Sequence, residues 1–266
     1  MGLAMEMITG KATAPGATLT ALTMAAGNSL TVRNTSLTAD IRMFDMWAFN
    51  NAAGIFRIRS PKLHDNVQGI RYRIDANDPN GLFPRGSWQK LTPQDTLIAE
   101  ISGSATGGQI EQGFANIWYQ DLPGSNSRLA NWSDIVGRVV NYLTVEVAIT
   151  SGAGGGYTGQ VAINSTFDLL QANTDYAILG ATVDTLCGAI QIVGPDLGNL
   201  GVGIPGLLNN RNLMARYFKE MNQQLSVPCI PVFNSANKNG TLVSVVQNQA
   251  AAAVNTNIVL CQLRPQ

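Results

Sequence analysis

The stretch GIFRIRSPKLHDNVQGI, residues 54–70, sets a proline turn between two apolar ends, and residues 188–204 read GAIQIVGPDLGNLGVGI. Aligned without a gap, they share Gly54 with Gly188, Ile58 with Ile192, Pro61 with Pro195, Leu63 with Leu197, Gly69 with Gly203 and Ile70 with Ile204. Average residue usage gives roughly one or two such identities over this length. The pattern predicts a strand, a turn and a second strand in each half. Pro61 and Pro195 would set the turns, while Gly69 and Gly203 would admit a close backbone approach or a positive φ. Working outward, residues 46–49 (MWAF) fall beside 180–183 (GATV), 97–105 beside 228–236, and 117–123 (IWYQDLP) beside 258–265 (IVLCQLRP). One unit written twice explains these matches; two β-rich halves sharing Gly, Pro and Ile by chance is the alternative. The backbone paths of the two stretches distinguish them.

Short alternating or apolar runs rich in Val, Ile, Thr and aromatics, separated by Gly, Pro, Asn and Asp, predict a mostly β chain. Two segments break that rhythm. Residues 127–142 space Leu129, Trp132, Ile135 or Val136, and Val139 at helical steps, and residues 210–225 do the same with Leu213, Met214, Tyr217, Phe218, Met221 and Leu225. At 266 residues the chain suits one large β domain or two of about half its length.

Only 13% of the residues are charged, against about 25% in ordinary globular proteins. Seventeen basic residues balance seventeen acidic ones without a basic run, so sequence-specific nucleic-acid binding is not expected. Neutral amides and hydroxyls are cheaper to desolvate than ions, which suits a surface covered by neighbours; a secreted or simply low-charge β protein has the same composition. The N-terminus lacks a secretory pattern and no apolar run reaches membrane-spanning length, so the chain reads as soluble and made in a cytoplasm. Cys187, Cys229 and Cys261, odd in number and without a CxxC pair, read as reduced core residues.

Chemistry has few candidate carriers. His64 is the single histidine, which argues against an imidazole metal cluster and leaves a nucleophilic triad only that one residue; a solvated loop histidine is the expectation. The glycine-rich residues 151–159 lack the Lys-Ser/Thr of a phosphate-binding loop, and in residues 75–81 Pro79 stands where a calcium ligand belongs. Asp45, Glu100, Glu111, Asp168 and Asp184 are scattered carboxylates with no evident pairing for glycoside hydrolysis. No catalytic, cofactor-binding or metal site is expected, and no enzyme activity.

Two successive units of seven or eight strands suit paired jelly rolls. In this the chain resembles, over nearly its whole length, the double jelly-roll major capsid proteins of tailless icosahedral bacterial viruses. The resemblance is architectural and no short motif carries it. It implies a mostly β fold of two tandem jelly-roll β-sandwiches with a few short helices. The expected divisions are an N-terminal arm at 1–27, a first jelly roll at 28–126, a linking helix at 127–142 and a second jelly roll at 143–266. The arm would reach a neighbour or the shell's inner face; a frayed terminus is the alternative. It further implies a structural virion protein forming homotrimers, each a pseudo-hexameric tile of a self-assembling capsid built in the host cytoplasm. Other virion proteins and an internal membrane vesicle are the further partners implied. A spike, decoration or carbohydrate-binding β-sandwich is the alternative, for which Trp47, Trp88, Trp118 and Trp132 would have to cluster on the surface.

Overall fold

The computed structural model describes residues 2–24, 30–33, 35–63, 65–77, 87–150, 152, 154–206, 211–247 and 253–265. In the first half, strands run β1 (Ala4–Thr13), β2 (Thr20–Ala21), β3 (Thr23–Met24), β4 (Ile41–Phe49), β5 (Gly54–Arg59), β6 (Ile70–Ile74), β7 (Gln89–Lys90), β8 (Ile98–Ser102) and β9 (Ile110–Tyr119). A two-residue strand β10 (Leu129–Ala130) and a short helix α1 (Trp132–Ile135) lead into the second half. There follow β11 (Val139–Ile149), β12 (Val161–Ala162), β13 (Asp175–Val183), β14 (Ala189–Val193) and β15 (Val202–Pro205). Helices α2 (Arg211–Met214) and α3 (Tyr217–Leu225) precede β16 (Ile230–Asn234), β17 (Leu242–Val246) and β18 (Val254–Leu263).

Pairing gives the sheet orders β3-β1-β9-β4-β7 and β2-β8-β5-β6 in the first half, and β10-β16-β13-β18-β11 and β12-β17-β14-β15 in the second. Set aside the edge additions β3 and β10, and both halves have one order. The first, eighth, third and sixth strands make one sheet, and the second, seventh, fourth and fifth make the other. This is the jelly roll, and the chain contains it twice, as the mostly β tandem-sandwich reading predicts. A finer mark recurs. The third strand of each roll carries a β-bulge against the eighth, between Met43 and Asp45 in the first roll and between Ile178 and Gly180 in the second. A bulge disrupts the ladder locally and is retained for its geometry, so its repetition at the same place supports duplication.

The decisive stretches are the fourth-to-fifth strand hairpins of the two rolls. Ile58 pairs with Ile70, and Ile192 with Val202 rather than with Ile204. The second hairpin is therefore shorter by two residues, an even number, so the inward faces are kept. The first turn is organised by Asp65, whose carboxylate accepts the backbone N–H groups of Val67 and Gln68. The second is a single 3-10 turn, Pro195–Leu197, closed by Gly198 in the left-handed region. Gly69 and Gly203, matched in sequence, serve different ends. Gly69 sits at φ 61°, and a Cβ there would overlap the Ile58 carbonyl oxygen and Arg59. Gly203 lies inside β15, where a Cβ would run into Met7 of the other roll. Gly69→Ala should cost about 2–4 kcal/mol of stability in urea denaturation, from left-handed strain and overlap together.

Three expectations are corrected. Residues 4–13 are not an arm: β1 pairs along its whole length with β9, at the middle of a sheet. Residues 127–142 are not one helix: after α1 comes a 3-10 turn, Val136–Arg138, and then β11. Gly137 and the β-branched Val139 and Val140 favour leaving the helix there. Residues 97–105 correspond not to 228–236 but to the strand at Leu242–Val246, because Ile58 pairs with Ala99 as Ile192 pairs with Val243. The helical reading of residues 210–225 matches α2 and α3, which pack against β13.

Each roll has its own core. Ile8, Met43, Met46, Phe56, Ile58, Ala99, Ile101 and Ile117 fill the first. Val145, Val147, Ile190, Ile192, Val243, Val245, Ile258 and Leu260 belong to the second. A third cluster, Met7, Trp47, Phe49, Phe114, Ala189 and Val246, lies between the rolls.

Candidate functional surfaces

The inter-roll contact is built from the outer face of β1-β9-β4. Along β9, Ala115, Ile117 and Tyr119 face the first core, so Phe114, Asn116 and Trp118 turn to the opposite side. Phe114 stacks on Trp47, with ring centroids 5.2 Å apart and planes 10° from parallel. The Trp47 indole N–H donates to the Gly188 carbonyl at 2.9 Å, and the Trp118 indole to the Pro228 carbonyl at 2.8 Å. Backbone joins in as well, since the Met7 N–H donates to the Gly201 carbonyl at 2.7 Å. The receiving surface on the second roll admits close approach: a Cβ at Gly188 would meet the Phe114 ring and one at Gly203 the Met7 side chain, with Ala189 and Val246 in the same cluster.

One polar cluster is set into this contact. The Tyr217 hydroxyl, on α3, donates to Asp45 Oδ2 at 2.9 Å, and Asn116 Nδ2 donates to the same hydroxyl at 3.0 Å and to the Gly203 carbonyl at 3.0 Å. Removal from water pushes the Asp45 carboxyl up to about 6, against the opposing pull of hydrogen bonds from Tyr217 and the Met46 N–H. Burial and the facing Asp45 charge push the Tyr217 phenol well above its usual range, so it remains a donor.

The uncovered faces differ in character. On the outer side of β2-β8-β5-β6, Arg57 and Arg59 share the Glu100 carboxylate, with Arg57 Nη2 at 2.5 Å and Arg59 Nε at 3.0 Å. Burial alone would raise the Glu100 carboxyl, but the guanidinium hydrogen bonds of Arg59 and Arg57 outweigh it and hold the group below the usual range. Arg71 lies directly across from Arg57, and both Arg71 and Arg73 are exposed. On the second roll the edge strand β11 turns Val145, Val147 and Ile149 inward, which leaves Val140, Tyr142, Thr144 and Glu146 on its outer side. Val140 is 47% and Tyr142 63% exposed.

His64 lies outside the described residues, as does the greater part of 75–81. The five scattered carboxylates stay apart in role. Asp45 is between the rolls, Glu100 on the arginine face, and Glu111 is buried, accepting from the backbone N–H groups of Asn51 and Ser104. Asp168 pairs with Lys238, and Asp184 accepts from the Asn255 N–H. Among the described residues no three His, Cys, Asp or Glu side chains form a group able to hold a metal ion. Cys187, Cys229 and Cys261 are buried free thiols; burial pushes Cys187 up to about 12 and Cys261 up to about 11. Part of the glycine-rich stretch 151–159 is strapped along β17, with the Gly155 N–H on the Gln247 carbonyl and the Thr158 N–H on the Val245 carbonyl. Trp47 and Trp118 are buried between the rolls, Trp88 lies under the Arg42 guanidinium and Trp132 under Lys219. The inter-roll cluster was missed by sequence reasoning. Its one available signal was that residues 110–119 carry large side chains on both faces, Phe114 and Trp118 on one and Ile117 and Tyr119 on the other.

No family model matches the chain, and no curated protein does. Among solved structures it is similar to the PBSX exported protein XepA, at 8% identity over 96% of this chain and 86% of that one, with a TM-score of 0.27. It is also similar to the STIV MCP, at 8% identity over 100% of this chain and 98% of that one, TM-score 0.24. The major capsid protein P2 from bacteriophage PM2 aligns at 8% identity over 98% of this chain and 99% of that one, TM-score 0.21. These likenesses are loose, and the jelly-roll assignment rests on strand pairing alone.

Proposed function

We propose that the chain is a structural virion protein, the major capsid protein of a tailless icosahedral virus, acting as a homotrimer whose six jelly rolls approximate a hexagonal tile. The observation that carries this reading is the identical strand order of two jelly rolls packed against each other within one chain. Three copies of such a chain present six similar units, so one polypeptide fills a site of near six-fold symmetry. The low charge fits surfaces that neighbours cover, and many modest contacts hold a shell by number. Neighbouring trimers and other virion proteins are the partners, and the virion, assembled in the host cytoplasm, is the location. Sedimentation of the purified protein at micromolar concentration should give a trimer or a larger assembly, and electron micrographs of the assembled material should show hexagonal tiles. A stable monomer that never assembles is the contrary result.

A further inference from the structure

Resting on the shell reading, we propose that the arginine face of the first roll, β2-β8-β5-β6, docks on the outer face of the edge strand β11 in a second copy of this chain. The within-chain contact supplies the template. In it, the outer face of β1-β9-β4 covers the outer face of β17-β14-β15, and each of these surfaces has a structural counterpart on the other roll.

The ladders give the correspondence residue by residue. Arg57 pairs with Glu100 and Arg71 as Gln191 pairs with Ser244 and Gly203. Ile55 pairs with Ser102 and Arg73 as Ala189 pairs with Val246 and Pro205. Counted from the shared bulge, Met7 opposite Asn116 corresponds to Thr144 opposite Val259, and Met5 opposite Trp118 to Tyr142 opposite Cys261. Thr9, opposite Phe114, corresponds to Glu146, opposite Asn257.

The arginine face and the outer side of β11 are open in the single chain, whereas Cys261 of β18 is buried and α2 and α3 lie over β13, and the chemistry of the two open faces is complementary. Where the covered second-roll face has Gln191, Gly203, Pro205 and Ser244, the first roll has Arg57, Arg71, Arg73 and Glu100. With Arg59 that makes four guanidiniums on one face, of which Arg57 and Arg59 share its one carboxylate, Glu100. Like charges directly across a strand pair are destabilising, and Arg57 faces Arg71. An incoming acid relieves that repulsion. The counterpart of the aromatic face offers Glu146, for which no ion pair occurs among the described residues, and Tyr142, whose exposed ring suits a guanidinium. The contact is heterologous, head to tail, the kind that closes into a ring.

The test uses the full chain in sedimentation velocity, with circular dichroism to verify folding. Arg71→Glu with Arg73→Glu should raise the concentration at which the assembly dissociates by at least about tenfold. Adding Glu146→Arg to that chain should recover part of the loss, and Arg211→Glu, an exposed charge reversal on α2, should change nothing. A folded Arg71→Glu/Arg73→Glu protein that assembles like the parent overturns this docking and leaves the shell reading standing. Loss of assembly with no recovery on adding Glu146→Arg overturns the pairing with β11. A parent chain that is monomeric throughout overturns both proposals.

Discussion

Trp47→Ala should lower the stability of the chain by about 3–5 kcal/mol, the usual cost of truncating a buried tryptophan. Trp47 is fully buried, stacks on Phe114 and donates its indole N–H to the Gly188 carbonyl of the other roll. Removing it leaves a cavity at the inter-roll contact and strips a carbonyl of its donor, and both losses fall on the joint between rolls. The variant should therefore unfold with its two rolls partly uncoupled. Trp118, whose indole donates to Pro228 across the same joint, reports separation through its fluorescence, whereas far-ultraviolet circular dichroism reports loss of strands. In urea the two signals should coincide for the parent chain, and the fluorescence change should come first for Trp47→Ala. A loss below about 1 kcal/mol with coincident signals would show that the rolls are held elsewhere.

Asp45→Asn should stabilise the protein at neutral pH. The Asp45 carboxyl is pushed up to about 6 in the folded chain from an ordinary value of 3.8. The native state thus binds this proton more tightly than the unfolded state, and stability from this group falls as pH rises between the two values. The full penalty, about 3 kcal/mol, is present above pH 6 and absent below about pH 4. Asparagine has no charge to bury and its carbonyl can still accept from Tyr217. Thermal melts of parent and variant should be well separated at pH 7.5 and converge as the pH is lowered through 6 toward 4. A separation constant over that range would assign the effect to something other than ionisation of Asp45. The same group couples the contact between rolls to acidity, because its partner Tyr217 is on α3 while Asp45 is on β4.

The repeated hairpin shows how far the sequence could be read. Ile58 and Ile192, Pro61 and Pro195, and Leu63 and Leu197 mark equivalent places because inward apolar residues and turn-setting prolines answer to local rules. The strands of 46–49 and 180–183 are also equivalent, although the shared bulge shows them one residue out of step: Asp45, not Met46, corresponds to Gly180. The first strand was hidden for a physical reason. Residues 4–13 are covered on both faces, by their own core and by the second roll, so the alternation that betrays a half-buried strand is missing. Glu6 is buried within this strand because Arg33 and the Tyr119 hydroxyl satisfy it from 27 and 113 residues away.

The amino-acid order by itself determined that the chain is β, that it carries a repeat, and that its surface is poor in charge, since these follow from local periodicity, turn residues and composition. Only the tertiary structure decided which sheet faces are paid for by contact and which are open. Arg57 and Gln191 occupy equivalent places in equivalent strands, yet one faces outward among arginines and the other is buried beside the opposite roll. That difference depends on how two finished sandwiches pack, through residues more than a hundred positions apart, and no local pattern contains it.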